Sequence, residues 1–420
     1  MLVLSSCFVK EETDEEMQVS RSRIFLDKEK LSPFYVPSLL PHRERQIDAL
    51  WALYGDQLDH LGGTYERVTQ LIGPIGTGKT ASARRFGEAF EAKARTGKKN
   101  LAYVYLNCRL EDTSRILLYR ALLEKAAPGM PVKSLGAQEM LRVLLKYLRS
   151  GDAYLLLTLD EIDYFCRNSK EHIVYDLTRL HEVFPEQLNR VIGVIFIARD
   201  ESFRSYLEPS ELSTIGQNRI DFPPYSTSQI LDILNRRAQE ALRPNGASND
   251  VLEFISDIAS GPPISGDVRY ALDLLLYSGV VAEQQSSERI TVEHVRAVQG
   301  QLKQVINADA LRGLSGHAKL VLLATVKALK GDGTPYVSLQ RIREGYLLLC
   351  EQFEVKPTVA VERHLQELID SGVVEMKSLL EFGVANIPTE TLEKALATEL
   401  TLNRTPPRPV NDCYKRRLRG

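Results

Sequence analysis

Residues 73–80 read GPIGTGKT and fit the pattern G-x4-G-K-[ST]. Glycine at such spacing lets successive backbone N–H groups curl around phosphate oxygens without Cβ clashes. The expected cradle is therefore Gly73, Pro74, Ile75, Gly76, Thr77, Gly78 and Ala81. Lys79 would bring a point charge to the β- and γ-phosphates, and the Thr80 hydroxyl a magnesium ligand. Some eighty residues on, LLLTLDEID places Asp160 after an apolar run. At a strand end, Asp160 would hold Mg²⁺ through water, and Glu161 would polarise the attacking water as general base. ATP and ADP with Mg²⁺ are the implied cofactors. The Asp-Glu pair favours a hydrolysing, switch-like ATPase over a kinase.

The elements that must position these groups follow from the pattern. Apolar runs at 67–73, 100–108, 153–160, 190–198 and 219–222 alternate with amphipathic stretches. Runs that are apolar throughout, separated by helical patterns, predict buried parallel strands with crossover helices. The spacing thus predicts an α/β domain over 31–225. After Pro224 the period becomes helical at 227–243, 249–260, 265–285 and 291–305, so 226–305 reads as a small all-helical lid. Helices near 317–330, 338–353 and 358–371, followed by hairpin-like segments at 373–376 and 382–387, predict a winged helix over 306–403. Residues 1–30 are rich in charge and read as a flexible, solvated arm. Residues 404–420 form a basic tail.

The chain has 420 residues, 44% of them hydrophobic, enough for two or three cores. No composition class is in excess, which excludes collagen-like, mucin-like and fully disordered readings. The five cysteines are scattered and form neither a disulfide framework nor a zinc site. No apolar run reaches membrane-span length, so an intracellular, cytoplasmic protein without a membrane partner is expected. The formal net charge of −2 exerts no global pull toward polyanions, so a nucleic-acid surface would have to be local.

Six segments recur together and in order: YVPSLLPHRERQIDAL (35–50), GPIGTGKT, YLNCR (105–109), LTLDEID (157–163), FPPY (222–225) and GDVRYALDLL. In these the chain resembles the archaeal members of the origin-recognition-complex and cell-division-cycle initiator family of AAA+ proteins, over roughly residues 30–400. The resemblance implies that Val36, Pro37 and Arg43 close over the adenine. It implies that Tyr225 and Arg237 line the pocket at the hinge, and that Arg269 is a lid arginine reaching the γ-phosphate. For Val36, Pro37 and Tyr225 a purely packing role is the alternative. Where the family usually has a sensor asparagine after the fourth strand, this chain has Arg199, which can donate but not accept hydrogen bonds. Ser210 stands where relatives often place an arginine acting on a neighbouring subunit. With Glu161, Arg199 and Arg269 as candidate catalytic groups, these departures imply a slow ATPase.

The resemblance also implies double-stranded origin DNA, other initiator subunits and a replicative helicase as partners. A helical insertion at about 109–135 would present Arg109, Arg115 and Arg120, with Lys125 nearby. The recognition helix and wing would present Lys356, Thr358, Arg363 and Lys377. Yet residues 310–403 carry ten basic residues against twelve acidic ones, a weak charge signature for DNA. The +5 tail leaves the body mildly acidic. Two further readings stay open: a regulatory or signalling P-loop ATPase with a winged-helix effector domain, and an accessory co-initiator with weak, non-specific DNA binding.

Overall fold

A computed structural model describes residues 22–402 except 60, 62–65, 111–113, 131–133, 184–189, 303–310, 312–313 and 385–386. The basic tail and most of the N-terminal arm lie outside the described residues.

The first core is an α/β sandwich. Strands β1 (Arg67–Ile72), β2 (Leu101–Asn107), β3 (Tyr154–Asp160), β4 (Val191–Ala198) and β5 (Arg219–Asp221) pair in parallel in the order β2-β3-β4-β1-β5. Strand β4, VIGVIFIA, is buried along its whole length, as a central strand covered on both faces must be. On one face, α1 (Glu44–Tyr54) and α2 (Lys79–Thr96) pack Trp51, Tyr54, Phe86 and Phe90 into an aromatic cluster. The other face is covered by α3 (Arg115–Ala126), α4 (Ala137–Ser150), α5 (Ile162–Asn168), α6 (Ile173–Thr178), α7 (Leu180–Val183) and α8 (Pro209–Ile215). In α4 the buried residues Met140, Leu141, Leu144, Leu145 and Leu148 recur every three to four positions, one stripe of a helix. Because all five strands run the same way, their carboxyl ends share one edge, the place where ligands bind in open α/β sheets.

The lid is α9 (Thr227–Ala241), α10 (Asn249–Ser260), α11 (Val268–Gln284) and α12 (Val292–Leu302), as the helical period predicted. One expectation fails here. The end of the N-terminal arm is not solvated: Ile24 and Phe25 are buried in the lid core beside Leu242. A Cβ on Gly279 of α11 would lie 2.3 Å from the Phe25 ring, so the ring fits only because that helix position is bare. The surrounding charge run hid a short apolar anchor. From there residues 32–43 cross to α1, so the segment spans from the lid to the α/β domain.

The third core is the winged helix: α13 (Gly316–Asp332), β6 (Tyr336–Ser338), α14 (Leu339–Phe353), α15 (Val361–Asp370), β7 (Glu375–Ser378), β8 (Glu381–Gly383) and α16 (Thr389–Leu402). Its antiparallel sheet has the order β6-β8-β7. Sequence patterning missed β6 and α16. A three-residue strand carries too little alternation to register, and α16 follows the wing, where the three-helix pattern was complete. The expected recognition helix begins three residues later than predicted, so Thr358 precedes α15 rather than riding on it.

Candidate functional site

The carboxyl ends of β2, β3 and β4, the loop after β1, the segment 32–41 and the lid enclose a cleft of about 540 Å³. Its floor is the loop after β1, which opens into α2. Gly76 and Gly78 adopt positive φ, 72° and 84°, conformations that cost a Cβ-bearing residue strain. The loop also has no room above Gly76, where a Cβ would lie 1.7 Å from Asp267 Oδ1 of the lid. Lys79 is buried, and its Nζ donates to the carbonyls of Gly73 (2.5 Å) and Pro74 (2.6 Å). Burial pushes its pKa down to about 8, against the pull of Asp160 and Asp163. A desolvated cation at the mouth of a helix N-terminus is a strong anion acceptor.

Asp160 ends β3 opposite Asn107 of β2. Its Oδ2 accepts from Thr80 Oγ1 at 2.6 Å and from the Tyr105 hydroxyl at 2.8 Å, and its Oδ1 from the Glu161 amide at 2.8 Å. The two expected magnesium ligands thus meet across eighty residues of chain. An alcohol and a carboxylate in contact form an all-oxygen donor set, which fits a hard divalent cation. Glu161 follows with φ 56°, a left-handed conformation uncommon outside glycine and a frequent mark of a functional position. Its Oε2 and the Asp163 Oδ1 are buried without hydrogen-bond partners. Arg199, at the end of β4, sets Nη2 3.6 Å from Glu161 Oε1 and Nε 3.8 Å from Asp163 Oδ2.

Val36, Pro37, Ile75, Gly76, Thr77, Gly78, Thr80, Ala81, Tyr225, Arg237 and Arg269 line the cleft together with Lys79, Asp160, Glu161 and Arg199. Gly73, Pro74 and Arg43 do not. Arg43 is almost fully buried, and its guanidinium is spent on three carbonyls: Thr77 (2.8 Å), His42 (2.9 Å) and Pro223 (2.7 Å). It also lies 3.7 Å from the Tyr225 ring centroid. Burial lowers its pKa. Arg43 therefore ties the phosphate loop to the strand-five hinge and does not line the cleft. Burial beside it pushes Tyr225 up to about 12, so its hydroxyl stays protonated against Gly78. Arg237 lines the cleft but spends Nη1 on the Lys30 carbonyl (2.9 Å) and Nη2 on that of Tyr35 (3.4 Å), holding the crossing segment in place.

Sequence reasoning missed Arg84, Tyr105, Asn107, Asp163 and Arg236, which also line the cleft. Three carried a readable signal. Arg84 is one turn after Thr80 on α2 and so shares its face, and Tyr105 and Asn107 alternate on β2 on one side of the sheet.

The residues expected at DNA stand on two domains. Arg109 is exposed on the loop after β2, 5.2 Å from the Tyr164 ring centroid, and Arg120 lies on α3. Arg115 is engaged inward, its Nη1 3.1 Å from Asp176 Oδ2. Lys356 and Arg363 are exposed, and the Thr358 amide donates to the Tyr346 hydroxyl at 3.1 Å. Lys377, still partly exposed, reaches toward the lid: its Nζ is 3.1 Å from Asp257 and 4.9 Å from the Tyr336 ring centroid. A wing residue of the right charge thus belongs to a domain joint.

Residues 63–207 match the AAA domain family, 231–300 the Cdc6 AAA+ ATPase-type lid domain, and 309–380 the CDC6 C-terminal winged helix domain. The chain is 34% identical over 368 residues to ORC1-type DNA replication protein 1 of Sulfurisphaera tokodaii, covering 88% of each. It is similar to the crystal structure of Cdc6p from Pyrobaculum aerophilum, with a TM-score of 0.76 and 29% identity over 90% of this chain and 99% of that one. It is also similar to the Aeropyrum pernix ORC1 protein in complex with DNA, with a TM-score of 0.60 and 29% identity over 91% and 99%. The phosphate loop, the lid seated on it and the winged helix beyond are one inherited arrangement, and the chain belongs to the archaeal Orc1/Cdc6 family of AAA+ DNA replication initiator proteins.

Proposed function

We propose that the chain is an ATP-gated initiator that binds duplex origin DNA through its winged helix and the helices after β2. In this reading it acts with other initiator subunits to bring a replicative helicase to the origin. The observation that carries it is the seating of the lid on the phosphate loop: Asp267 lies against Gly76, the Val268 amide donates to the Gly76 carbonyl at 3.3 Å, and Arg269 lines the same cleft. A lid that touches the loop can respond to a third phosphate, because a cation on it gains a partner with ATP and loses it with ADP.

In the cleft, the amides of 75–80 and Lys79 bind the phosphates, while Val36 and Pro37 close over the base. Thr80 and Asp160 would hold Mg²⁺, which when bound neutralises charge on the β- and γ-oxygens. Glu161 accepts the proton of the attacking water as its oxygen bonds to the γ-phosphorus and ADP leaves with the bridging oxygen. Arg199 cannot orient that water by accepting a hydrogen bond, which supports slow turnover.

That the Aeropyrum pernix relative is held in complex with DNA supports the DNA reading. A second reading, an accessory co-initiator with weak non-specific binding, is favoured by the acidic balance of the winged helix and by Lys377 facing the lid. The test is binding to origin-bearing and scrambled duplex over a salt series, with ATP, with ADP, and with Glu161→Gln. Tighter origin binding with a steep salt slope supports the main reading. Equal binding to both duplexes selects the accessory one, and no salt dependence overturns DNA binding altogether.

A further inference from the structure

Arg199 stands against the candidate catalytic glutamate. Its guanidinium bridges Glu161 and Asp163, one nitrogen to each, at 3.6 and 3.8 Å. Both separations exceed hydrogen-bond length, so the contact is electrostatic and exchangeable. The side chain approaches from solvent, 41% exposed, over two carboxylates that are 28% and 11% exposed. Each carboxylate keeps a second oxygen buried and unpartnered. The Glu161 backbone is held in a left-handed conformation, with its amide bonded to Asp160, so the side chain starts from a fixed point beside the guanidinium. Arg199 also lines the cleft alongside Lys79 and Arg269, where an arriving phosphate offers a bidentate partner better than either carboxylate contact.

We propose that Arg199 is a positioning residue that restrains Glu161, and that a terminal phosphate competes for the guanidinium, so that with ATP bound Glu161 is released only part of the time. The proposal rests on the nucleotide reading of the cleft. It makes one residue both a brake on hydrolysis and a discriminator between triphosphate and diphosphate. With ATP bound the guanidinium is shared between Glu161 and the third phosphate, so hydrolysis proceeds only while it rests on the phosphate.

The experiment compares wild type, Arg199→Asn and Asp163→Asn by steady-state ATP turnover and by equilibrium titration with a non-hydrolysable ATP analogue and with ADP. Arg199→Asn should raise kcat roughly tenfold and raise KM. It should also lower the preference for triphosphate over ADP about fivefold. Asp163→Asn, which loosens only the far anchor, should raise kcat by a smaller factor and leave that preference intact. A kcat that falls or stays level in both variants overturns the proposal and makes Arg199 an ordinary phosphate contact. Should Arg199→Asn fail to fold, Asp163→Asn decides alone. Wild-type protein that binds neither nucleotide overturns the reading of the cleft and the proposal with it.

Discussion

The lid makes two joints, and they are built differently. Toward the phosphate loop it offers a thin contact: the long Val268 bond, Asp267 against Gly76, and a Tyr225 amide reaching the Gly266 carbonyl at 3.4 Å. Toward the winged helix it offers Arg296, whose side chain is 1% exposed. Arg296 donates from Nε to the Val384 carbonyl at 2.5 Å and from Nη2 to that of Pro335 at 3.0 Å, and it pairs with Glu293. Around it lie Phe254 edge-on to Tyr336, Glu293 accepting from the Thr389 amide at 2.8 Å, and Lys377 on Asp257. A joint of desolvated, multiply bonded groups moves as a unit, whereas a few long backbone contacts yield at small cost. The contrast teaches that a rearrangement driven from the cleft moves lid and winged helix together.

The most severe way to break the contrast is Arg296→Ala. It strands two carbonyls and a carboxylate and leaves a cavity beside Phe254, costing roughly 3–5 kcal/mol. Calorimetry should then show the winged helix melting apart from the lid, where wild type should give one coupled transition. Next comes Gly76→Ala at the thin joint. A Cβ there displaces Asp267 and strains a positive φ, at about 2 kcal/mol. ATP affinity by titration calorimetry should drop ten- to thirtyfold, with the lid–winged-helix melt unaltered. The smallest effect sharpens the comparison. Lys377→Ala removes a partly exposed pair worth less than about 1 kcal/mol, and the salt slope of DNA binding should stay as it was. Lys356→Ala should instead lower that slope by about 1.

What was legible in the chain was what depends on local pattern. The strands at 67–73 and 190–198 are apolar throughout because both faces are covered, and the structure has them within a residue or two. The meeting of Thr80 with Asp160 was legible too, because the phosphate loop and the acidic strand end imply each other chemically. What stayed hidden depends on which way a side chain turns once domains pack. Arg43, Arg115 and Lys377 are cations on plausible segments, and each faces a neighbouring acid, ring or carbonyl that no spacing encodes. Ile24 and Phe25 are two apolar residues in a charged stretch, too few for periodicity, yet they complete the lid core.

The segment from that anchor to α1 has a mechanical consequence. The lid is joined to the α/β domain by the hinge at 222–226 and again by the crossing segment 32–43, held to α9 by Arg237. One covalent link would let the lid swivel about a point. Two links at separate places define a line, leaving rotation about that axis as the easy motion and twist as the costly one. With its anchors fixed at both ends, the crossing segment also limits how far the cleft can gape, since a dozen residues reach no more than ~40 Å when fully drawn out. The nucleotide is thus read through a door with a fixed axis and a check-strap.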